Sequence, residues 1–310
     1  MNMKIKKINL NHSFIFFLLS NIGSIIIFKY SSLNISSFFC LILILIFGVS
    51  HGSLDHIKGD KLLKIFGIQQ NYIFYLVYIL FSILIVLFWL ILPTLILITF
   101  LIVASFHFGK EDTQFLIVDR SYITRSLYFL KGLLIILAPI YFHFDDTVAI
   151  FKLLFVENEI FYLGLSIIEK YNIILIGIIL STLASMFLFF KQFEITKFSI
   201  FLDFCSIIIL NYYLSPLVAF TIYFCFLHSI RHTISLVFEI NGNDLYEGLI
   251  VFIKKALPLT ILTAIFGVIG LYFLNILYDF DSAILKIVFI GLASLTFPHI
   301  LLEYLLEENE

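Results

Sequence analysis

Two histidines and an arginine, His228, Arg231 and His232, stand in the stretch FCFLHSIRHT, inside a run that is otherwise apolar from Leu214 to Phe238. Ionisable groups in such a segment cost at least ~2.5 kcal/mol each in a bilayer, so something must compensate them. On a helix over 217 to 238, positions 228 and 232 share a face one turn apart, and two imidazoles so placed can grip one metal ion. Three further histidines recur in similar settings: His51 in GVSHGSLDH, His107 in SFHFGKED and His299 in TFPHILLEY. Neutral imidazoles suit iron, copper, zinc or nickel, whereas the scarcity of clustered carboxylates speaks against a magnesium or calcium cage. A six-coordinate iron(II), Fe(2+), held by four imidazoles would keep two positions open for dioxygen and a substrate. The bland alternative is that each histidine hydrogen-bonds across a helix interface.

The neighbours of these histidines are suited to aiming them. Gly48 and Gly52 flank His51 and permit a close helix contact or a break in the helix. Asp55 and His56 follow within about a turn, and Asp112 comes five residues after His107. Such carboxylates can accept the second N–H of a ligating imidazole and fix its tautomer, or can be solvated residues at helix ends. Pro298 removes a backbone hydrogen bond beside His299 and bends its helix there. Arg231 projects from a different face than the paired histidines, with Asp55, Asp203 or the membrane surface as its destination. His12 and His143 lie outside the cluster and read as surface residues.

The elements that must carry these residues are membrane spans. The chain of 310 residues is 62% hydrophobic and 13% charged, against about 45–50% apolar and 25% charged in soluble domains. The expected fold is all-α, a polytopic integral membrane helical bundle forming a single transmembrane domain over residues 1–310. Apolar runs at 13–28, 35–51, 72–92, 94–109, 122–142, 172–190, 198–214, 217–238, 256–278 and 283–302 give about ten spans, or eight or nine if the short ones fail. Pro93 and the Ser215–Pro216 pair mark tight reversals. Lys4, Lys6 and Lys7 ahead of an apolar stretch imitate a secretory signal, but no small-residue cleavage site follows, and the segment reads as a retained first helix. A net charge of -2 without a basic stripe sets nucleic acid aside. Cys40, Cys205 and Cys225 lie in apolar segments without CxxC spacing and read as small core residues.

Most lysines fall on the side of the N-terminus, which by the positive-inside rule puts both termini in the cytoplasm; the expected location is the cell inner (plasma) membrane, crossed several times. This topology brings His51, His56, His107, His228, His232 and His299 into one leaflet, with His232 about 9 Å and His228 about 15 Å from the cytoplasmic end of their span. Scattered structural histidines have no reason to choose one side on four different helices, so the convergence favours a shared site.

In order and placement, GVSHGSLDH, FHFGKED, FLHSIRH and TFPHILLEY resemble the Brp/Blh family of β-carotene 15,15′-dioxygenases, from Phe47 to Tyr304. The resemblance implies cleavage of the central double bond of β-carotene by non-haem iron(II) and O2 to two retinal molecules, often in service of a microbial rhodopsin. By motif it implies His51, His107, His228 and His232 as iron ligands, with His56 and His299 in substrate-pocket or supporting roles. Ser50 stands where relatives commonly have proline, which loosens the local kink. A C40 hydrocarbon dissolves in membrane lipid and can enter such an enzyme laterally. Two other readings remain. A membrane di-iron desaturase or hydroxylase also gathers histidines, though usually with HH pairs, which this sequence lacks. A proton- or metal-coupled transporter would spread ionisable groups through both leaflets.

Overall fold

The computed structural model describes residues 3–30, 35–117 and 121–309, with the His51 side chain outside the described part. It contains no strand among these residues. Among the described residues, nine helices are long and apolar enough to cross a membrane, or ten if the bent pair Ser37–Gly48 and Gly52–Ile65, which turns by 40°, counts as one broken span. The protein is therefore an all-α polytopic bundle.

The spans follow from uninterrupted apolar sequence stopped by turn chemistry. The helix α4 (Tyr72–Ile91) ends at Leu92, and Pro93, whose missing N–H costs nothing in a first helical turn, opens α5 (Pro93–Glu111). Ser121 caps α6 (Tyr122–Phe142) by accepting from the Thr124 N–H. Asn172, left-handed at φ 52°, turns the chain into α9 (Ile173–Phe190). Pro216 begins the eighth apolar run, which is not one uniform helix. It consists of a short α-helix Pro216–Ile222, a π-helical turn Tyr223–Ser229 and the helix Ile230–Ile240. The helix that follows, Leu245–Leu277, and the last, Phe280–Asn309, run well past the expected ends at 256 and 302. In the 143–171 connection, which has no apolar run of spanning length, the structure builds two short helices, Phe144–Leu153 and Glu159–Lys170.

Burial sorts these elements into centre and rim. The most apolar window of Pro216–Ile240 is 67% buried, that of Leu245–Leu277 only 6%, so the histidine-bearing run is the axis and the long helix faces lipid. The tightest helix pair is α5 against α6. A Cβ on Gly109 would overlap the Tyr128 carbonyl, and one on Gly132 the Ser105 carbonyl, so two glycines bring the backbones together two residues from His107.

Candidate metal centre

Three helices each present a pair of polar side chains four residues apart at one end of the bundle. These are His107 and Glu111 on α5, His228 and His232 on the axial run, and His299 and Glu303 on the last helix. Spacing of four keeps each pair on one face. The π-helical turn ends at Ser229, one residue beyond His228, and its Phe226 carbonyl receives His12 Nε2 at 2.8 Å. Opposite it, the broken span passes through a π-helical turn, Ile44–Gly48, and a 3₁₀ turn, Val49–Leu54, before Asp55–Ile65. A Cβ at Gly48 would stand 2.5 Å from the Phe224 ring, so glycine there lets the two irregular segments meet. His51 lies in the 3₁₀ turn; its side chain falls outside the described residues.

Four imidazoles crowd together in this end. Ring centroids of His107 lie 5.3 Å from those of both His228 and His299, and His232 is 5.7 Å from His299. All four residues are buried, and so is Glu111. Glu303 sits among them: Oε2 is 3.8 Å from His107 Nδ1, and Oε1 is 3.4 Å from His232 Nε2 and 3.7 Å from His299 Nε2. His232 Nε2 also faces Glu111 Oε2 at 3.8 Å. Lys58 Nζ donates to Glu303 Oε1 at 2.8 Å.

Two aspartates hold the outer nitrogens. Asp55 accepts from His299 Nδ1 at 2.9 Å and from the Tyr78 hydroxyl at 3.0 Å. Asp112 accepts from His228 Nδ1 at 3.1 Å and from the Tyr223 hydroxyl at 2.7 Å. An ionised carboxylate at Nδ1 places the N–H there and the lone pair on Nε2, the tautomer a metal requires. Arg231 finds Asp203, with contacts of 2.6 and 3.1 Å, and adds bonds to the Asp112 carbonyl at 3.1 Å and Ser13 Oγ at 2.7 Å. Both charges of this pair are 1% exposed, which is tolerable only because their hydrogen bonds are made.

Tested against a resident metal, the donor set fits. His107, His299 and Glu303 offer ligand atoms within 4.8 Å of one another, as do Glu111, His232 and Glu303. Two imidazoles and one carboxylate is the donor composition of non-haem iron(II) oxygenases, and it suits a first-row transition ion rather than magnesium, which prefers an all-oxygen shell. Beside the centre lies a cavity of about 610 Å³ whose lining joins His299, Asp55 and Tyr78 to apolar groups such as Phe74, Phe224 and Phe266. A second cavity of about 820 Å³ touches His107 and Glu303 from the other side.

Some placements differ from the sequence reading. Two carboxylates that the sequence reading did not single out, Glu111 and Glu303, stand among the imidazoles. The signal was present, since each follows a histidine by four positions, but Glu303 is one acid in an acidic C-terminal segment. His299 sits inside the cluster rather than at its edge, while His56 stays outside it, bonded to the Ser53 carbonyl at 3.0 Å, stacked on Tyr75 and lining the 610 Å³ cavity. Asp112 serves His228 across a helix interface rather than His107 on its own helix. His12 and His143 are half-buried, not surface residues, and bond the carbonyls of Phe226 and Asn211, each at 2.8 Å.

The fold and site define a helical membrane protein with a buried imidazole and carboxylate centre beside an apolar cavity. The chain belongs to the β-carotene 15,15′-dioxygenase family, whose profile, described as "Beta-carotene 15,15'-dioxygenase", matches residues 42–307. Family membership places it among the carotenoid-cleaving dioxygenases, which are oxidoreductases. A protein named "Beta-carotene 15,15'-dioxygenase" from uncultured marine bacterium 66A03 is 27% identical over 275 residues, covering 84% of this chain and 90% of that protein. No solved structure matches the chain.

Proposed function

We propose that the protein cleaves the central 15,15′ double bond of β-carotene with O2, using non-haem iron(II), and releases two molecules of all-trans-retinal. The observation that carries this reading is the opening of the imidazole and carboxylate cluster, through His299 and Asp55, onto an apolar cavity between helices in a chain of this family. The balance is simple: the C=C bond breaks and each carbon takes one atom of O2, so no external reductant is consumed. Iron(II), when bound, supplies the electrons that make ground-state O2 reactive.

The protein's own contribution is positional. His107, His228 and His232, with His51 by resemblance, are the proposed ligands, and the Glu303 carboxylate, beside His107 and His232, stands within reach of the same ion. Asp112 holds His228 from behind, and Asp55 holds His299 at the mouth of the cavity. Phe74, Tyr75, Phe224 and Phe266 give the cavity flat polarisable walls against which a polyene can be registered. Burial of the cluster keeps bulk water from the reacting carbons. The substrate arrives from lipid, and the lysine-rich end that carries the centre faces the cytoplasm of the cell inner membrane. The retinal produced can serve a microbial rhodopsin.

The test is expression in cells that make β-carotene. Loss of orange colour with accumulation of retinal is expected. Persistent β-carotene in cells holding folded, iron-loaded protein would reject the proposal.

A further inference from the structure

A third space, apart from the two cavities that touch the cluster, runs through the core of the bundle. It measures about 80 Å³ and lies among α5, α6, the helix Phe144–Leu153 and the axial run. Along α5 its lining extends from Leu97 to Phe108, about 16 Å or three turns. Trp89 and Leu154 stand toward one end, Phe108 and Tyr223 toward the other. The Phe108 ring is also a wall of the metal centre, its centroid 4.8 Å from that of His228 and 5.6 Å from that of Tyr223. We propose that this space holds dioxygen beside the metal centre, with the Phe108 ring as the partition between them. This rests on the proposed function, which makes O2 a substrate, and adds the place from which it is delivered.

The walls favour an apolar guest over water. The polar side chains among them spend their hydrogens on the protein. Trp89 Nε1 donates to the Leu154 carbonyl at 2.9 Å, the Tyr223 hydroxyl to Asp112 at 2.7 Å, Asn211 Nδ2 to the Ile207 carbonyl at 2.9 Å and the Thr147 hydroxyl to the His143 carbonyl at 2.8 Å. A buried water needs about 2–4 polar partners, and an apolar enclosure without them stays dry and takes up apolar molecules. At about 80 Å³ the space admits a few molecules of the size of O2 and excludes a C40 chain. Its position supplies what the other two cavities do not. A polyene in the 610 Å³ cavity covers the side of the centre that opens through His299 and Asp55. The 820 Å³ cavity is lined by Lys110, Arg125 and Glu307, groups that draw water rather than an apolar gas. The apolar space reaches the His228 side of the centre while the polyene is seated. The plainer account is a packing defect, of which interiors hold a few. A defect has no reason to follow α5 for three turns and end on the ring that touches a proposed ligand.

Trp89 makes the space observable. It is the chain's single tryptophan, 0% exposed, and it lines the space. The experiment measures its fluorescence in the iron-loaded full chain, purified in detergent without carotenoid, as O2 or iodide is added. O2 quenches on contact, and iodide, a charged ion, stays out of an apolar enclosure. Quenching by O2 and none by iodide is expected. Ala219→Leu and Ile150→Phe add bulk to the lining from two elements away from the histidines. Each is expected to lower O2 quenching of Trp89 by about twofold or more and to raise KM for O2 in retinal formation by a similar factor, with iron content and KM for β-carotene unchanged. Unchanged O2 quenching and unchanged KM for O2 in both variants would overturn the inference while leaving the proposed function standing. In the unaltered chain, O2 quenching no stronger than that by iodide would overturn it without recourse to any variant. Quenching that falls in the filled variants of a protein that makes no retinal would reject the proposed function and keep the space as a gas site.

Discussion

Two arms of the centre are built from the same parts in different surroundings. In each, an aspartate takes a histidine Nδ1 and a tyrosine hydroxyl: Asp112 with His228 and Tyr223, Asp55 with His299 and Tyr78. The Asp112 arm lies in the wall of the bundle, its aspartate and histidine each 1% exposed, with Arg231 fastened to the Asp112 carbonyl and to Asp203. The Asp55 arm borders the 610 Å³ cavity, where Asp55, Tyr78 and His299 all take part in the lining. The same chemistry thus serves two purposes. One arm holds its imidazole within packed protein, and the other presents an imidazole to whatever occupies the cavity.

The largest effects are expected from the imidazoles themselves. His228→Ala and His232→Ala each abolish both iron retention and retinal formation; normal iron content and turnover in either would remove that residue from the ligand set. Next come the aspartates, whose loss typically costs 10–100-fold in metal affinity or activity. Asp112→Asn belongs at the severe end, because a buried amide N–H2 would face a histidine N–H or the Tyr223 hydroxyl with no water to mediate. Asp55→Asn is milder, since the adjoining cavity admits a bridging water. Equal iron affinities in the two variants would break the distinction between wall and mouth.

The tyrosines sharpen the same contrast at smaller amplitude. Tyr223→Phe removes a hydrogen bond to a buried carboxylate, worth about 1.5–3 kcal/mol to the fold, and shows as a lower thermal midpoint with iron retained. Tyr78→Phe, at the cavity, changes KM for β-carotene more than stability; the opposite pattern would exchange the roles assigned to the arms. The smallest effect is expected away from both. Glu194, in the loop before the Ile195–Tyr213 span, bonds Lys6 at 2.7 Å, and that hydrogen bond holds its carboxyl below its ordinary value. Stability from this pair is present at neutral pH and is lost as pH falls through the lowered value. It is exposed, so Glu194→Gln leaves iron content unchanged.

Much of this was legible in the sequence. Apolar length alone located the spans, because a run of about twenty residues without charge has few soluble uses. The reversals at Pro93 and Pro216 were legible for the same local reason, a missing N–H. The convergence of histidines on one end of the bundle followed from topology, and the structure brings His107, His228, His232 and His299 together. What stayed hidden depended on partners distant in sequence. Asp112 sits five residues from His107, yet the twist of α5 turns it toward His228, 116 residues away. Arg231 had several acids within plausible reach, and only packing of the axial run against Phe198–Tyr213 selects Asp203. The π-helical turns at 44–48 and 223–229 leave no signature in residue types, since they are set by how two segments meet at Gly48 and Phe224.

The central claim is that imidazoles and a carboxylate from separate helices share a metal at the mouth of an apolar cavity. X-ray absorption at the iron edge of the loaded full chain tests it most directly. The account predicts nitrogen and oxygen neighbours near 2.0–2.2 Å with the outer-shell scattering of several imidazole rings. Iron surrounded by oxygen alone, with no imidazole outer-shell scattering, would contradict it.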